Sequence, residues 1–402
     1  MMKTRSYSIP LTLEAAKSIE ECFASNIFRV ASFLRINFDT PGPCRKINFL
    51  ITFILFILGI YTVTYNAGVT FSTHHDTAEL AAQLLIVLWA IQSIISGLFL
   101  INWQLNGEFA FFRQILAECQ NLRGLKCERG KSMMKITNRY FHFQIFVTCM
   151  ITSAFALNYH FEDKHSEFNK KQSYIFYYQE LRPIYTLITT YLYIIWNMTL
   201  FVLILYTNAT YLEVKYFNEQ LEQFDGSDDS STCQQLIEYL EVYSNLCTVI
   251  RKLDVIFRLY TFIMIVITVP SMIFTLMMMN HRIHGLLDLF MCMPTIALCA
   301  FSFFAVTISP ARLHDEINKT KGCICQNKSI WFPYRKEVYL IANTLTCHME
   351  QFDLGVSVWG FAILSRPLIL GTLSATAMML SLLAELAPKT DLLNLSNKLF
   401  AR

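Results

Sequence analysis

Histidine side chains are the most chemically suggestive group in the sequence. Six of the nine fall in three polar stretches between long apolar runs: His74, His75, His160, His165, His281 and His284. Imidazole ionises near physiological pH and binds transition metals. Neither THHD at residues 73–76 nor HRIH at residues 281–284 has the spacing of a metalloprotease helix or of a Cys/His zinc site. We expect solvated histidines and no metal ion, with pH sensing and metal binding as open alternatives.

Other patterns that indicate catalysis are missing from the sequence. It contains no glycine-rich phosphate loop, no Gly-x-Ser-x-Gly turn and no pair of carboxylates inside an apolar run. Cys323 and Cys325 are too close together and too isolated for a zinc site. We therefore expect neither an enzyme nor a cofactor.

The composition indicates a membrane protein. The 402 residues are 54% hydrophobic and only 16% charged, with a mean hydropathy of +0.39, which is too apolar for a soluble fold of this length. A transmembrane helix needs about 20 apolar residues. Seven suitable runs occur at Ile47–Ala67, Leu80–Ile101, Tyr140–Tyr159, Ile184–Thr207, Tyr260–Met278, Leu286–Ile308 and Pro367–Ala384. We predict an all-α plasma-membrane protein with seven transmembrane helices, a location that excludes nucleic-acid binding in practice.

The distribution of positive charge predicts how the chain is threaded. Loops rich in Lys and Arg stay in the cytosol, and 25 of these residues fall on the face that carries the N-terminus, against 8 on the other. The positions of the cysteines support the same threading, because disulfides persist only on the oxidising side of a membrane. Nine of the twelve cysteines fall in predicted cytosolic segments and none in an outer loop. The first 46 residues also contain no apolar signal core. We predict a cytosolic N-terminus and an extracellular C-terminus.

The triplet Asn138-Arg139-Tyr140 raises the alternative of a rhodopsin-like receptor. In those receptors an Arg-centred triplet follows the third apolar run, whereas here it precedes that run. Arg139 is therefore interpreted as an interfacial anchor at the end of a helix.

The predicted segments divide the chain by location. They are a cytosolic N-terminal segment (1–46), membrane helices 1 to 6 (47–308), a cytosolic loop with a short helix (309–366), the last membrane helix (367–386) and an extracellular tail (387–402). Cytosolic helix extensions occupy about residues 208–259.

Helical periodicity continues beyond membrane helix 4 and resumes before helix 5. One apolar stripe contains Val214, Phe217, Leu221 and Phe224. After an acidic linker at residues 225–231, a heptad seam contains Leu236, Leu240, Tyr243, Cys247, Ile250 and Phe257. Such apolar surfaces must be covered, either within one subunit or by a second subunit, and both can apply.

Seven helices with a cytosolic N-terminus resemble the insect odorant and gustatory receptor superfamily, which includes gustatory-receptor-like proteins of nematodes. The local resemblance lies in residues 337–386, where a short helix (337–349) precedes Trp-Gly-Phe (359–361) and Ser-Arg-Pro (365–367). The Thr-Tyr and Gln-Phe signature of the last helix is replaced, with Ala375-Thr376 and Leu382 at its positions. The chain is thus similar to a divergent, nematode-like member.

The resemblance implies a gustatory-like chemosensory receptor that is a homo- or hetero-tetrameric, ligand-gated, non-selective cation channel. The outer halves of helices 2 to 6 would enclose the ligand, the last helices of four subunits would line the pore, and the cytosolic extensions would form an anchor between subunits. Two alternatives stay open: a non-conducting receptor of the same topology that signals through or modulates a partner, and a photoreceptor-like member.

Candidate ligand-binding residues are those predicted to lie near the outer surface of the membrane. The outer thirds of the helices contribute Gln83, Asn158, Tyr159, Tyr185, Thr189, Phe274, Met278 and Phe290. This mainly aromatic set suits a small, largely apolar ligand, although aromatic residues also collect at membrane interfaces as anchors.

Polar positions in the last helix are the candidate pore-lining residues. They are Thr372, Ser374, Thr376 and Ser381, with Glu385 near the outer mouth, where four carboxylates would favour cations. Small residues at these spacings also allow helices to pack closely, which is the alternative interpretation.

Overall fold

The computed structural model describes residues 43–72, 77–123, 139–150, 153, 182–224, 229–282, 286–350 and 354–386. The helices, in chain order, are α1 (Pro43–Ser72), α2 (Thr77–Leu105), α3 (Glu108–Arg123), α4 (residues 139–150), α5 (Arg182–Glu222), α6 (Asp229–Arg282), α7 (Leu286–Gln326), α8 (Lys328–Trp331), α9 (Lys336–Glu350) and α10 (Arg366–Leu386). Strands β1 (Ser357–Val358) and β2 (Ala362–Ile363) form a hairpin just before α10.

Five helices in the described part of the chain are long and apolar enough to cross a membrane. Their spans are Lys46–Ser72, Leu80–Leu105, Ile184–Glu222, Thr232–Met279 and Ile296–Gln326. These spans lie in α1, α2, α5, α6 and α7, where we predicted membrane helices 1, 2, 4, 5 and 6. In α10 the apolar stretch Arg366–Leu382 is shorter. Predicted helix 3 is described only in part, so the count of seven and the direction of threading stay predictions.

Three helices are too long to end at the membrane surfaces. α5 and α7 contain 41 residues each and α6 contains 54. At a rise of 1.5 Å per residue they are about 60 to 80 Å long, twice or more the hydrocarbon thickness of about 30 Å. Each must therefore extend well beyond one bilayer surface.

Helix α5 occupies the centre of the fold. It packs against α1, α2, α6 and α7, and residues such as Trp196, Leu200 and Leu203 are fully buried. Aromatic rings also connect α3 to it. The ring centre of Tyr206 on α5 is 5.1 Å from that of Phe109 and 5.0 Å from that of Phe112, both on α3. α3 thereby packs against α5 through aromatic contacts.

The predicted stripe and seam pack against each other inside one chain. Phe217 of α5 lies with its ring centre 5.9 Å from that of Tyr239 and 6.0 Å from that of Tyr243, both on α6. All four stripe residues are buried, and so are the seam residues apart from the half-buried Leu240. Helix α6 begins at Asp229, two residues before the predicted end of the linker. The contacts support the interpretation that both surfaces are covered within the subunit.

The short helices after α7 return the chain to α5 and α6. Asn327 accepts a hydrogen bond from the Ser329 amide and caps α8 (3.1 Å), while its Nδ2 donates to the carbonyls of Leu221 (3.2 Å) and Phe224 (2.9 Å). α9 packs on α6, where the rings of His348 and Tyr243 are 6.1 Å apart. The chain then forms the hairpin and enters α10.

Helix α10 has a largely open surface. It packs against α6 and, over a smaller area, against α7. Large apolar side chains on it stay exposed, namely Leu370, Met378, Met379 and Leu382. The described part of the chain therefore does not cover this apolar helix.

Candidate functional site

The structure places the predicted ligand-binding residues on several helices. Gln83 is buried on α2, Met278 is buried on α6, and Tyr185, Thr189 and Phe274 are half-buried. Phe290 belongs to α7, and Asn158 and Tyr159 lie outside the described residues. Their combined role in binding a ligand stays a prediction.

Tyr185 is the centre of a polar group at the end of the bundle where α5 begins. Asn66 of α1 donates from Nδ2 to the Tyr185 hydroxyl at 3.2 Å, and Thr189, one turn further along α5, is a second hydrogen-bond partner of that hydroxyl. The structure thus brings Tyr185 and Thr189 together and adds Asn66, which is buried. The sequence signal for Asn66 was an amide in an otherwise apolar helix, which in lipid requires a partner.

An aromatic wall lies one to two turns deeper than Thr189. Trp89 of α2 has its ring centre 6.1 Å from that of Tyr193 and 6.2 Å from that of Trp196, both on α5. Thr189, Tyr193 and Trp196 are spaced i, i+4 and i+7, so they share one face of α5. At 1.5 Å per residue, Trp196 lies about 18 Å from Ile184, near the middle of a bilayer core.

One hydrogen-bond donor in this wall is unused. The Trp196 side chain is 0% exposed, and its Nε1 has no hydrogen-bond partner among the described residues. A buried donor without a partner costs about 1–3 kcal/mol. The neighbouring Tyr193 ring lies 6.1 Å away between centres at an interplanar angle of 75°, so the indole has an aromatic neighbour there.

A neutral polar network lies between α2 and α6 at similar depth. Gln92 donates from Nε2 to Thr268 Oγ1 and to Met264 Sδ, both at 3.3 Å. The Ser96 and Tyr260 hydroxyls lie 3.5 Å apart, one turn further along α2. These buried groups satisfy one another, so they hold α2 against α6 without placing a charge in the membrane.

A second buried network fixes α4 against α5. Gln144 donates from Nε2 to Asn197 Oδ1 at 3.2 Å, and Asn197 Nδ2 donates to Thr148 Oγ1 at 3.0 Å and to the Tyr193 carbonyl at 2.8 Å. Asn197 and Thr148 are completely buried. Through the Tyr193 carbonyl, the network is bonded to the backbone of the aromatic wall. A displacement of α4 would therefore shift the position of Tyr193.

The predicted pore-lining residues fall on two faces of α10. Ser374 and Ser381 are exposed, whereas Thr376 is buried and Thr372 is half-buried. Thr372 and Thr376 donate to carbonyls one turn earlier, at 2.8 Å each. Glu385 lies in the last turn of α10. Of these four side chains, only those of Ser374 and Ser381 are exposed and could contact water, lipid or another subunit.

Most of the predicted outer-loop histidines lie outside the described residues, and His281 belongs to the last turn of α6. Within the described ranges, His, Cys, Asp and Glu side chains form no group of three or more that could hold a metal ion. The described part of the candidate site therefore consists of aromatic and neutral polar side chains.

Comparison with known proteins relates the chain to one family and one fold. The model of a family described as "Caenorhabditis protein of unknown function, DUF267" matches residues 36–339. No curated protein matches the chain.

Among solved structures, the chain is similar to the insect olfactory receptor OR5 from Machilis hrabei, with 8% identity, a TM-score of 0.58, and coverage of 89% of this chain and 97% of that one. The structure of OR5 in complex with eugenol gives 10% identity, a TM-score of 0.61, and coverage of 91% and 100%. The chain therefore has a fold similar to that of an insect olfactory receptor, as the resemblance implied, while its place in the odorant and gustatory receptor superfamily stays a prediction.

Proposed function

The chain belongs to the Caenorhabditis family of unknown function DUF267, and we propose that it is a gustatory-like chemosensory receptor that acts as a ligand-gated, non-selective cation channel. The observation that carries this proposal is the likeness to a eugenol-bound insect olfactory receptor over 91% of the chain. At 10% identity this likeness concerns the fold, so the chemistry of the site supplies the remaining support.

The ligand class follows from the described part of the bundle. Tyr185, Thr189 and Asn66 offer hydroxyl and amide groups, and Trp89, Tyr193 and Trp196 offer aromatic surface. A ligand that matches this mixture is small, largely apolar and equipped with one or two hydrogen-bonding atoms. Eugenol, the ligand in the OR5 complex, has this character and is a suitable first probe.

Conduction is proposed to require four subunits around a common axis. The exposed side chains of α10 would then face neighbouring subunits and the pore, where Ser374 and Ser381 would contact the water shell of a permeating ion. Glu385, near the extracellular mouth, would contribute to a ring of four carboxylates that attracts cations. The N-terminus would lie in the cytosol, and the extensions of α5, α6 and α7 would form the anchor.

Gating requires a ligand that binds the open state more tightly than the closed state. Helix α6 carries Phe274 and Met278 at its predicted outer end, and it also packs against α10. Ligand binding would bias the position of α6, and with it the arrangement of the four α10 helices.

A non-conducting receptor is the second candidate. It is favoured by the open face of α10, where large apolar side chains outnumber the two serines. Such a face would also suit a partner protein in the membrane, and the chain would then signal through that partner.

The test is whole-cell recording from non-excitable cells that express the chain at their surface, with eugenol and related small phenols as probes. A cation current evoked by at least one probe, with cation-over-anion selectivity reduced in Glu385→Gln, supports the channel. Saturable binding of a probe to wild-type protein without any current would move the assignment to the partner-dependent receptor.

A further inference from the structure

The hairpin that precedes α10 is fastened to one stripe of α6. Three residues of α6 contact it, Asp254, Arg258 and Phe262, and their spacing of i, i+4 and i+8 places them on one face over two turns. The predicted membrane segment of α6 begins at Tyr260, so this stripe crosses the predicted inner surface of the membrane. The hairpin therefore lies where α6 passes from cytosol to lipid.

The carboxylate of Asp254 holds the first strand. Its Oδ1 accepts a hydrogen bond from the Ser357 amide at 2.6 Å and another from the Ser357 hydroxyl at 2.7 Å. The same hydroxyl accepts a bond from the Gly360 amide at 3.0 Å, across the turn. Hydrogen bonds to an ionised carboxylate are shorter and stronger than neutral ones. One side chain of α6 thus organises both the strand and the turn.

The turn has an unusual residue at its tip. Trp359 and Gly360 both have positive φ angles, 52° and 79°, a conformation that Gly and Asn adopt far more readily than a large aromatic residue. A tryptophan adopts this backbone conformation at an energetic cost. Two contacts with α6 offset it: the Trp359 ring lies 4.8 Å from that of Phe262, and its amide donates to the Arg258 carbonyl at 3.2 Å.

The hairpin leaves little freedom to the helix that follows. β2 ends at Ile363 and α10 begins at Arg366, while the Leu364 amide donates to the Val356 carbonyl at 3.0 Å and extends the pairing. Arg366 then forms an ion pair with Asp315 of α7, 2.6 Å between Nε and Oδ2. The start of α10 is therefore set by the orientation of the hairpin on α6.

We propose that Asp254 is a positioning residue whose hydrogen bonds to Ser357 couple the position of α6 to that of α10. A rotation or axial shift of α6 would carry the hairpin with it and redirect the first turn of α10. The coupling rests on the contacts above, while its use in opening a pore rests on the proposed function.

The first measurement is hydrogen–deuterium exchange on the purified full-length chain in mild detergent. Asp254→Ala removes the acceptor of the Ser357 amide, so we expect the amides of residues 357–363 to exchange about tenfold faster or more. Asp254→Asn keeps a neutral acceptor and should give an intermediate rate. The matched control is Glu350→Ala, which removes a carboxylate that pairs with Lys321 of α7 rather than with a residue of the hairpin, and should leave the exchange at residues 357–363 unchanged.

Two outcomes overturn the inference. An unchanged exchange rate at residues 357–363 in Asp254→Ala would show that the carboxylate does not hold the hairpin. An equal increase in peptides from α5 and from the hairpin would show that Asp254 supports the whole fold and does not position α10.

The second readout is monovalent-cation flux into liposomes that contain the same variants. We expect Asp254→Ala to change basal flux severalfold, while Asp254→Asn stays closer to wild type and Glu350→Ala matches it. A loosened hairpin with wild-type flux would overturn the coupling role. If wild-type protein passes no cations either without ligand or with eugenol, that result counts against the channel proposal alone, and the exchange result decides whether Asp254 positions α10.

Discussion

Helices α5 and α10 are both apolar, but among the described residues α5 is almost completely covered and α10 is not. Trp196, Leu200 and Phe201 of α5 are at most 2% exposed, whereas Leu370, Met378 and Met379 of α10 are 53–67% exposed. Several buried polar groups of α5 are also bound to other helices, as Asn197 is to α4. The comparison separates a scaffold that is complete in the subunit from a helix that needs lipid or another protein to cover it.

The largest expected effect comes from a cavity in α5. The Phe201 ring lies 5.2 Å from that of Phe141 and 5.5 Å from that of Phe301, between centres. Phe201→Ala should lower the free energy of unfolding by about 3–5 kcal/mol, measured by thermal unfolding in detergent. The matched change on α10, Met378→Ala, should stay within about 0.5 kcal/mol and instead reduce the oligomeric fraction. Equal destabilisation by both would break the distinction.

A smaller effect should come from the network between α4 and α5. Asn197→Val leaves Gln144 and Thr148 without their shared partner and should cost about 1–2 kcal/mol. A double-mutant cycle with Gln144→Leu isolates the pair, because the two changes together should cost less than their sum. Strict additivity would mean that the 3.2 Å contact between the two amides contributes nothing measurable.

The smallest expected effect on stability, and the most specific effect on binding, comes from the Tyr185 hydroxyl. Tyr185→Phe removes the acceptor of the Asn66 amide and should cost about 0.5–1 kcal/mol of stability. If the group contacts ligand, the dissociation constant for eugenol should rise about three- to tenfold. Tyr211→Phe is the control, because the Tyr211 ring lies under Arg312 on the far half of α5. An equal change in both variants would exclude a specific contact at Tyr185.

The sequence predicted the secondary-structure elements better than the contacts between them. The length of the apolar runs predicts five membrane helices, and local periodicity predicts the stripe ending at Phe224 and the seam ending at Phe257. Each helix shows these signals in its own sequence. The pairings Asn66 with Tyr185 and Gln92 with Thr268 join residues 119 and 176 positions apart, and no local pattern records them. The Trp-Gly-Phe motif is visible in the sequence, but the attachment of this hairpin to α6 depends on a contact between Ser357 and Asp254, which are 103 positions apart.

The most direct test of the proposed channel is the number of subunits in the particle, because the open face of α10 can line a pore only when several copies assemble. We would determine the mass of the protein in mild detergent by single-particle mass measurement. Four subunits per particle would agree with a central pore bordered by α10. A monomer that still binds probe would contradict a self-sufficient channel and favour a receptor that signals through a partner.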